Sequence, residues 1–213
     1  MSDTETEGQT RILLGAGGTT GSQDDPIALI EAEHACLLQL CDVLEQIADQ
    51  LPNRVSRTEA YFAAAHLKHG LLAHTNFEEQ ELFPLLRQRA FFEYPIRSIL
   101  CQLEQEHEAD ESYAIEIAEE LQIVATRGQA RNGEMLGYML RGFFISQRRH
   151  IQWENALLLP LARELLQPQD LARLSRRLAA RAVQRPRAPR EAGQYPSPAP
   201  SERRSAEIIP IRR

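Results

Sequence analysis

The chain has 213 residues, a length that suits one domain with tails and that can bury a single core without disulfide staples. Its net charge of −6 is unevenly distributed along the chain. Residues 168–213 carry 11 Arg and 4 acidic residues, whereas the preceding part carries 13 basic and 26 acidic ones. The acidic body argues against nucleic-acid binding by the folded part and is typical of proteins that gather carboxylates around cations.

The cysteines and the hydropathy pattern indicate the cellular compartment. Cys36, Cys41 and Cys101 form an odd set without paired-ligand spacing, and the start of the chain lacks the regions of a signal peptide. No window approaches the roughly 20 apolar residues that a membrane helix needs. We therefore expect a reduced, cytoplasmic protein that does not span a membrane, with Cys41 as a buried, inert thiol.

The first half of the chain predicts a leader and two helices. Residues 1–25 are polar and rich in glycine, which predicts a flexible leader. Two aspartates before Pro26 predict the start of a first helix that runs to about Gln50. A capping box that begins at Ser56 opens a second helix, in which apolar residues recur at intervals of three and four until about Arg89.

The second half predicts two further long helices. A Tyr-Pro pair at Tyr94 opens the third helix, which runs to about Arg127, where Gly128 interrupts the pattern. The fourth helix follows from Glu134 to about Gln167. Strand-like alternation is not found, so the predicted class is all-α.

Short turns between the predicted helices require antiparallel neighbours, which predicts an up-down-up-down four-helix bundle over residues 26–167. A short basic helix is predicted over residues 168–184. Residues 185–213 are rich in Pro, Arg and Ser, and we expect them to be a disordered, solvated tail.

The two halves of the predicted bundle repeat each other. A Glu-x-Glu-His segment occurs once in each half, and so does a His and Glu pair four residues apart that is followed by a proline expected to kink its helix. The matched residues are Glu31 and Glu104, Glu33 and Glu106, His34 and His107, His74 and His150, Glu78 and Glu154, and Pro84 and Pro160.

The spacing of the repeat predicts that its His and Glu residues meet at one height. Positions equidistant from the turn of an antiparallel hairpin lie level with each other, and the midpoints between His34 and His74 and between His107 and His150 both fall in predicted turns. A His and a Glu four residues apart project from one helix face. The side chains predicted to converge are His34, His74, Glu78, His107, His150 and Glu154.

Four imidazoles and two carboxylates predict a metal centre. Imidazole is a borderline ligand and carboxylate a hard one, a mixture that suits iron or manganese. Carboxylates can bridge two metals, and two His per metal leave a coordination position for a small molecule. Without a cation, six buried polar side chains of this kind would be costly.

The set resembles the hemerythrin-like family, also called the HHE cation-binding domain, over roughly residues 26–166. The resemblance rests on the two Glu-His pairs, on the two His and Glu pairs, and on Leu82-Phe83-Pro84 after the first of them. It implies a four-helix bundle with two iron ions that binds dioxygen, nitric oxide or peroxide, or that serves as an iron source. Turnover would need an electron donor, and the sequence leaves open whether the protein is an enzyme.

One position separates the chain from the oxygen carriers of that family. They place a second His four residues after the first on the third helix, where this chain has Glu111. The remaining ligand pattern is more similar to the repair of iron centres proteins, which act in nitrosative stress. Those proteins also have a cysteine-bearing N-terminal domain, whereas residues 1–25 contain no cysteine.

A ferritin-like di-iron carboxylate oxidase, or an iron storage or donor protein, is the alternative. Glu31 and Glu104 lie three residues before a His, as in the Glu-x-x-His motif of that fold. The other two helices each bring an additional His, which favours the hemerythrin-like reading.

Several neighbours of the six residues are open to interpretation. Any of three glutamates could orient a ligating imidazole or could be solvated: Glu33, Glu106 and Glu111. Phe77 and Trp153 are expected to pack in the core.

Overall fold

The computed structural model describes residues 25–90 and 94–184, and these residues form five helical rods joined by short connections. Strands are absent from this part of the chain, which confirms the all-α class. The rods are α1 (Pro26–Gln50), α2 (57–89), α3 (Tyr94–Arg127), α4 (133–165) and α5 (Pro168–Gln184).

Local capping fixes the ends of the helices close to the predicted positions. The Asp25 carboxylate accepts a hydrogen bond from the backbone N–H of Ile27 at 2.9 Å, and the Ser56 hydroxyl accepts one from the N–H of Glu59 at 3.3 Å. Gly128 follows α3 with a φ of 83°, a left-handed conformation that glycine adopts without strain. The sequence therefore determines where α1 and α2 begin and where α3 ends.

Two of the rods contain wider turns of π-helix. In α2 and in α4, one such turn begins at a glutamate and ends two residues before a proline. Proline has no backbone N–H to donate within a helix, and the wider turn allows the helix to continue through it. The π-helical turns of α2 are His66–Leu71 and Glu78–Leu82, and that of α4 is Glu154–Leu158.

The long helices pack in pairs around two separate apolar clusters. Helix α1 packs mainly on α4, and α2 on α3, while α3 also contacts α4. One cluster contains Leu44, Ile117 and Leu140, and the other contains Ile30 and Phe83. A layer of buried polar side chains lies between the two clusters along the helices.

Helix α5 returns across the bundle and covers one of these clusters. Its Leu174 and Leu178 are buried in the cluster that contains Phe83. Asp170, in its first turn, accepts hydrogen bonds from the Arg89 guanidinium at 2.8 and 3.0 Å, which lowers the pKa of Asp170. The helix is thereby fixed at both its apolar face and its N-terminal end.

The predictions for the leader and for the basic tail fall almost entirely on residues 1–24 and 185–213, which lie outside the described residues. None of the helices in the described part of the chain combines the length and the apolar character that a membrane span requires.

Candidate metal centre

The six predicted side chains lie together in the polar layer between the two apolar clusters. They come from four helices, with one His each from α1 and α3 and a His and a Glu each from α2 and α4. Each is at most 4 % exposed, so water does not solvate them. They are His34, His74, Glu78, His107, His150 and Glu154.

These side chains form two groups that share a carboxylate. One group consists of His34, His74, Glu78 and Glu154, and the other of His107, His150 and Glu154, with the donor atoms of each group within 4.8 Å of one another. Two adjacent groups with a common glutamate have the arrangement expected for two neighbouring cations.

Both carboxylates lie between the two groups. Glu154 places Oε2 at 3.3 Å from His34 Nε2 and Oε1 at 3.3 Å from His150 Nε2. Glu78 places Oε1 at 3.5 Å from His34 Nε2, and Oε2 at 3.4 Å from His74 Nε2 and 3.6 Å from His107 Nε2. All five distances exceed those of normal hydrogen bonds, so the oxygens remain available to a shared cation.

All four imidazoles point Nε2 towards the centre and bind an oxygen on the outside through Nδ1. The Nδ1–H of His74 donates to Glu33 at 3.1 Å, and that of His150 donates to Glu106 at 2.9 Å. A proton on Nδ1 leaves a lone pair on Nε2, which is the form that binds a metal.

The other two imidazoles have the same orientation. His107 Nδ1 donates to Glu79 at 2.9 Å, and His34 Nδ1 donates to the side-chain oxygen of Asn155 at 2.6 Å. Glu79 and Asn155 each directly follow a glutamate of the centre. The residues that accept the outer hydrogen bonds therefore follow the same internal repeat as the six inner residues. Three of these acceptors are glutamates, and the fourth is the amide of Asn155.

The inner atoms fit a bound cation better than they fit one another. Within residues 25–90 and 94–184, both oxygens of Glu78 and both of Glu154 lack a hydrogen-bond partner although they are buried. His107 Nε2 and His150 Nε2 lie 3.1 Å apart, a contact that needs a proton or a cation between the two nitrogens. A cation between these atoms would satisfy all of them.

The buried histidines and glutamates of the centre shift each other's pKa values. Burial alone would lower the pKa of His34, but Glu154 and Glu78 outweigh it and raise this pKa to about 10. Burial likewise opposes the effect of Glu154 on His150, whose pKa rises to about 9. Burial alone would raise the pKa of Glu154, but the neighbouring His150 and His34 lower it. The Glu154 carboxylate is therefore ionised at neutral pH.

Helix α5 contributes to the centre through a single residue. The Arg181 guanidinium donates to the Glu33 carboxylate and, at 2.7 Å, to the backbone oxygen of Ala73, and it lies 4.9 Å above the Phe77 ring. Burial alone would raise the pKa of Glu33, but His74 and Arg181 lower it to about 2. Arg181 thus fixes the carboxylate that orients His74.

A cavity of about 250 Å³ lies next to the centre, between α2 and α3, and His107 forms part of its wall. Two buried polar residues, Asp110 and Gln147, also line it. Burial raises the pKa of the Asp110 carboxyl. A small molecule therefore has a space beside one of the two groups.

The glutamates that were open to interpretation have different surroundings. Glu33 and Glu106 orient imidazoles, as considered from the sequence, whereas Glu111 is exposed at the edge of the cavity. Glu31 and Glu104 form ion pairs at the surface with Arg163 and Arg87, so neither takes part in a ferritin-like Glu-x-x-His ligand pair.

The two aromatic residues also differ. Phe77 is buried, as expected, but the expectation for Trp153 is wrong because 48 % of its surface is exposed. A π-helical turn begins directly after each, and α5 covers Phe77 through Arg181, whereas the described residues place no comparable helix over Trp153.

Five residues around the centre were missed in the sequence analysis: Glu79, Asn155, Arg181, Asp110 and Gln147. The repeat could have revealed Glu79 and Asn155, because both follow a predicted ligand glutamate. Arg181 and the cavity residues carry no such signal, since their positions depend on how helices dock.

A four-helix layer of His and Glu around a shared carboxylate defines this chain as a helical-bundle protein with a cluster that could hold metal ions. The Hemerythrin HHE cation binding domain family matches residues 25–162. The chain belongs to that family, which confirms the resemblance inferred from the sequence. No curated protein and no solved structure matches it.

Proposed function

We propose that this protein holds two iron ions at His34, His74, Glu78, His107, His150 and Glu154 and binds dioxygen or nitric oxide there. The observation that carries this proposal is the position of Glu154, whose two oxygens face different histidine pairs at the same distance of 3.3 Å. A carboxylate in that position can bridge two cations. Membership of a cation-binding family supports it further.

The donor set supports iron or manganese. Four imidazole nitrogens and two carboxylates combine borderline and hard ligands, which suits iron and also manganese, in a pair of one kind or a mixed pair. The three cysteines are not part of the set, because none belongs to either group of donors in the described chain. Structural zinc sites and copper(I) sites more commonly contain thiolates.

The two groups differ in a way that supports small-ligand binding at one metal. The group around His34 offers four donor residues, whereas the group of His107 and His150 shares only Glu154 within the same distance limit. The cavity also borders His107. We infer that the open coordination position lies on the side of His107, where a dioxygen, nitric oxide or peroxide molecule would arrive.

The residues of the chain would bind, orient and shield this centre. The outer hydrogen bonds hold each imidazole with Nε2 inward, and the two apolar clusters exclude bulk water on both sides. An iron pair would supply an open position and redox electrons, and turnover would require an electron donor. Glu111 stands where the oxygen carriers have a further His, which supports a role in oxidative or nitrosative stress or in iron-centre repair over oxygen transport.

We also propose how the helices are connected and in which compartment the protein lies. We propose an up-down-up-down bundle over residues 26–167, followed by a short basic helix over residues 168–184. Three free cysteines, Cys36, Cys41 and Cys101, support a reducing compartment such as the cytoplasm. Burial raises the pKa of Cys41 to about 12, which makes this thiol inert.

Metal analysis with an electronic spectrum tests the proposal directly. We expect about two irons per chain after anaerobic loading, with charge-transfer bands that change when nitric oxide is added to the reduced protein. Multiple turnovers with a reductant would assign an enzyme, and a reversible spectral change without turnover would assign a binding protein. Failure to retain any metal would refute the centre.

A further inference from the structure

The outer face of α4 carries apolar side chains where a helix of a bundle normally carries polar ones. Leu140 and Phe144 on its inner face are buried in the core, whereas Tyr138 is 75 % exposed and Ile145 is 62 % exposed on its outer face. The exposed residues follow one another at intervals of three and four, and they form a stripe about 27 Å long at 1.5 Å per residue. This α4 stripe consists of Met135, Tyr138, Gly142, Ile145, Arg149 and Trp153.

The glycine in the middle of the α4 stripe is not required by packing within the described residues. A Cβ at Gly133, earlier in the same helix, would lie only 2.9 Å from the Cβ of Pro52, so that glycine has a reason inside the chain. A Cβ at Gly142 would have the Tyr113 ring as its nearest neighbour, at an ordinary 3.9 Å. Glycine inside a helix lowers its stability relative to alanine, but it allows another backbone to approach closely. Gly142 therefore suits a position where a second helix crosses α4.

The charged and apolar residues along the stripe are arranged symmetrically about this glycine. Glu134, at the start of α4, and Arg149 are both exposed, and they lie equally far from the midpoint of residues 141 and 142. Tyr138 and Ile145 are also equidistant from that midpoint. If two copies of α4 crossed there in antiparallel directions, each Glu134 would face the other copy's Arg149, and each Tyr138 the other copy's Ile145. A two-fold interface requires a surface that complements itself in this way.

The contacts of the two arginines near the stripe are compatible with this arrangement. Arg149 lies 3.9 Å from Glu106 and its side chain is 65 % exposed, so the guanidinium can reach a carboxylate of another molecule. Arg141, at the crossing point, is directed towards α1, where it donates to Asp49 at 2.9 Å. Two copies would therefore bring opposite charges together at the ends of the stripe without opposing like charges at its middle.

We propose that the α4 stripe is the surface through which two copies of this chain form an antiparallel, two-fold symmetric dimer. An anionic lipid surface fits the stripe less well, because its single arginine is balanced by Glu134 and the neighbouring α3 exposes Glu116. One helix from each copy gives an interface at the small end of the range for specific complexes, so the dimer should dissociate at micromolar concentrations. The stripe contains none of the residues of the two donor groups, so the proposal is independent of the proposed function.

Sedimentation velocity of the full chain, over concentrations that bracket the micromolar range, tests for the dimer. Tyr138→Asp should raise its dissociation constant at least about tenfold, because an exposed aromatic side chain at the centre of the interface is lost while the fold of each chain is kept. Tyr61→Asp, at a tyrosine of α2 that is 53 % exposed, is the matched control and should dimerise as the wild type does. A wild-type protein that stays monomeric, or that instead binds vesicles of phosphatidylcholine and phosphatidylserine, would overturn the proposal. Equal dissociation constants for wild type and Tyr138→Asp would overturn it as well.

A charge reversal tests the antiparallel arrangement. Glu134→Arg and Arg149→Glu each place like charges opposite each other twice in the dimer, and each should weaken dimerisation about tenfold. The double variant restores opposite charges with their positions exchanged, and its dissociation constant should return to within about threefold of the wild type. Circular dichroism should show the same helix content in all three variants. A double variant that dimerises as weakly as the single ones would overturn the proposed interface.

Discussion

Arg181, near the end of α5, binds the carboxylate of Glu33 on α1, and the same carboxylate accepts the Nδ1–H of His74 on α2. One arginine therefore links three helices and sets the orientation of an imidazole that it does not touch. Glu106, the counterpart of Glu33 in the repeat, instead accepts a hydrogen bond from Gln102 at 3.0 Å and has an exposed arginine, Arg149, at 3.9 Å. The two halves of the centre differ in their outer support.

Removal of this arginine should weaken metal binding. Arg181→Ala leaves Glu33 free to move, and loss of such outer support typically lowers metal affinity about 10- to 100-fold. Competition with a chromophoric chelator would measure this. Arg177→Ala is the control, because Arg177 belongs to the same helix but pairs with Glu81, and its affinity should match the wild type. Equal affinities for both variants would show that Arg181 does not support His74.

Single ligand substitutions should remove different amounts of metal. Glu154 belongs to both groups and His74 to one, so we expect Glu154→Ala to lose both ions and His74→Ala to lose about one of the two. Elemental analysis would give the ratio of metal to protein, and circular dichroism should show largely unchanged helix content. His69→Ala, at an exposed position of α2, should keep full metal content. Unchanged stoichiometry in both ligand variants would refute the assignment.

Metal binding should release protons at neutral pH. The pKa of His34 is raised to about 10 and that of His150 to about 9, so at pH 7 both imidazoles hold an extra proton before a cation is added. A cation must displace these protons, so affinity should rise with pH until it passes these pKa values. Calorimetry in buffers with different ionisation enthalpies should detect the release of about two protons per chain. No dependence on the buffer would contradict these raised pKa values.

The amide at Asn155 should tune the redox properties of the centre. Three imidazoles donate to glutamates, whereas His34 donates to Asn155, which is a weaker acceptor. Asn155→Asp would make His34 a stronger electron donor to a bound metal and should lower the reduction potential of the iron pair. A redox titration measures this. Gln152→Glu adds the same charge at an exposed position of the same helix, and an equal shift in that variant would assign the effect to charge alone.

The sequence was sufficient to predict the inner residues because the physical rules that place them are local. The positions of His34 and His74 depend on helical periodicity and on equal distances from a turn, and both can be counted along the chain. The helix ends follow in the same way from capping residues such as Ser56 and from Gly128. The structure places each of these elements within two residues of the prediction.

The outer residues could not be predicted because they depend on docking between distant segments. Arg181 meets Glu33 across 148 positions of the chain, and no periodicity relates α5 to the repeat. Trp153 was predicted wrongly for the same reason, because it repeats Phe77 in sequence but no helix in the described part of the chain covers it. The cavity at Gln147 likewise arises from the imperfect fit of three helices, which hydrophobic spacing does not encode.

The separation of the apolar side chains into two clusters affects how the protein unfolds. Each cluster has its own set of buried apolar residues, and the polar layer between them stabilises the bundle little until a cation binds its unsatisfied atoms. A metal-loaded centre would bind side chains from all four helices, so the two ends of the bundle would unfold in one cooperative transition. Chelation should then divide one sharp thermal transition into two broader ones, with the end covered by α5 melting separately from the end that contains the turn after α1.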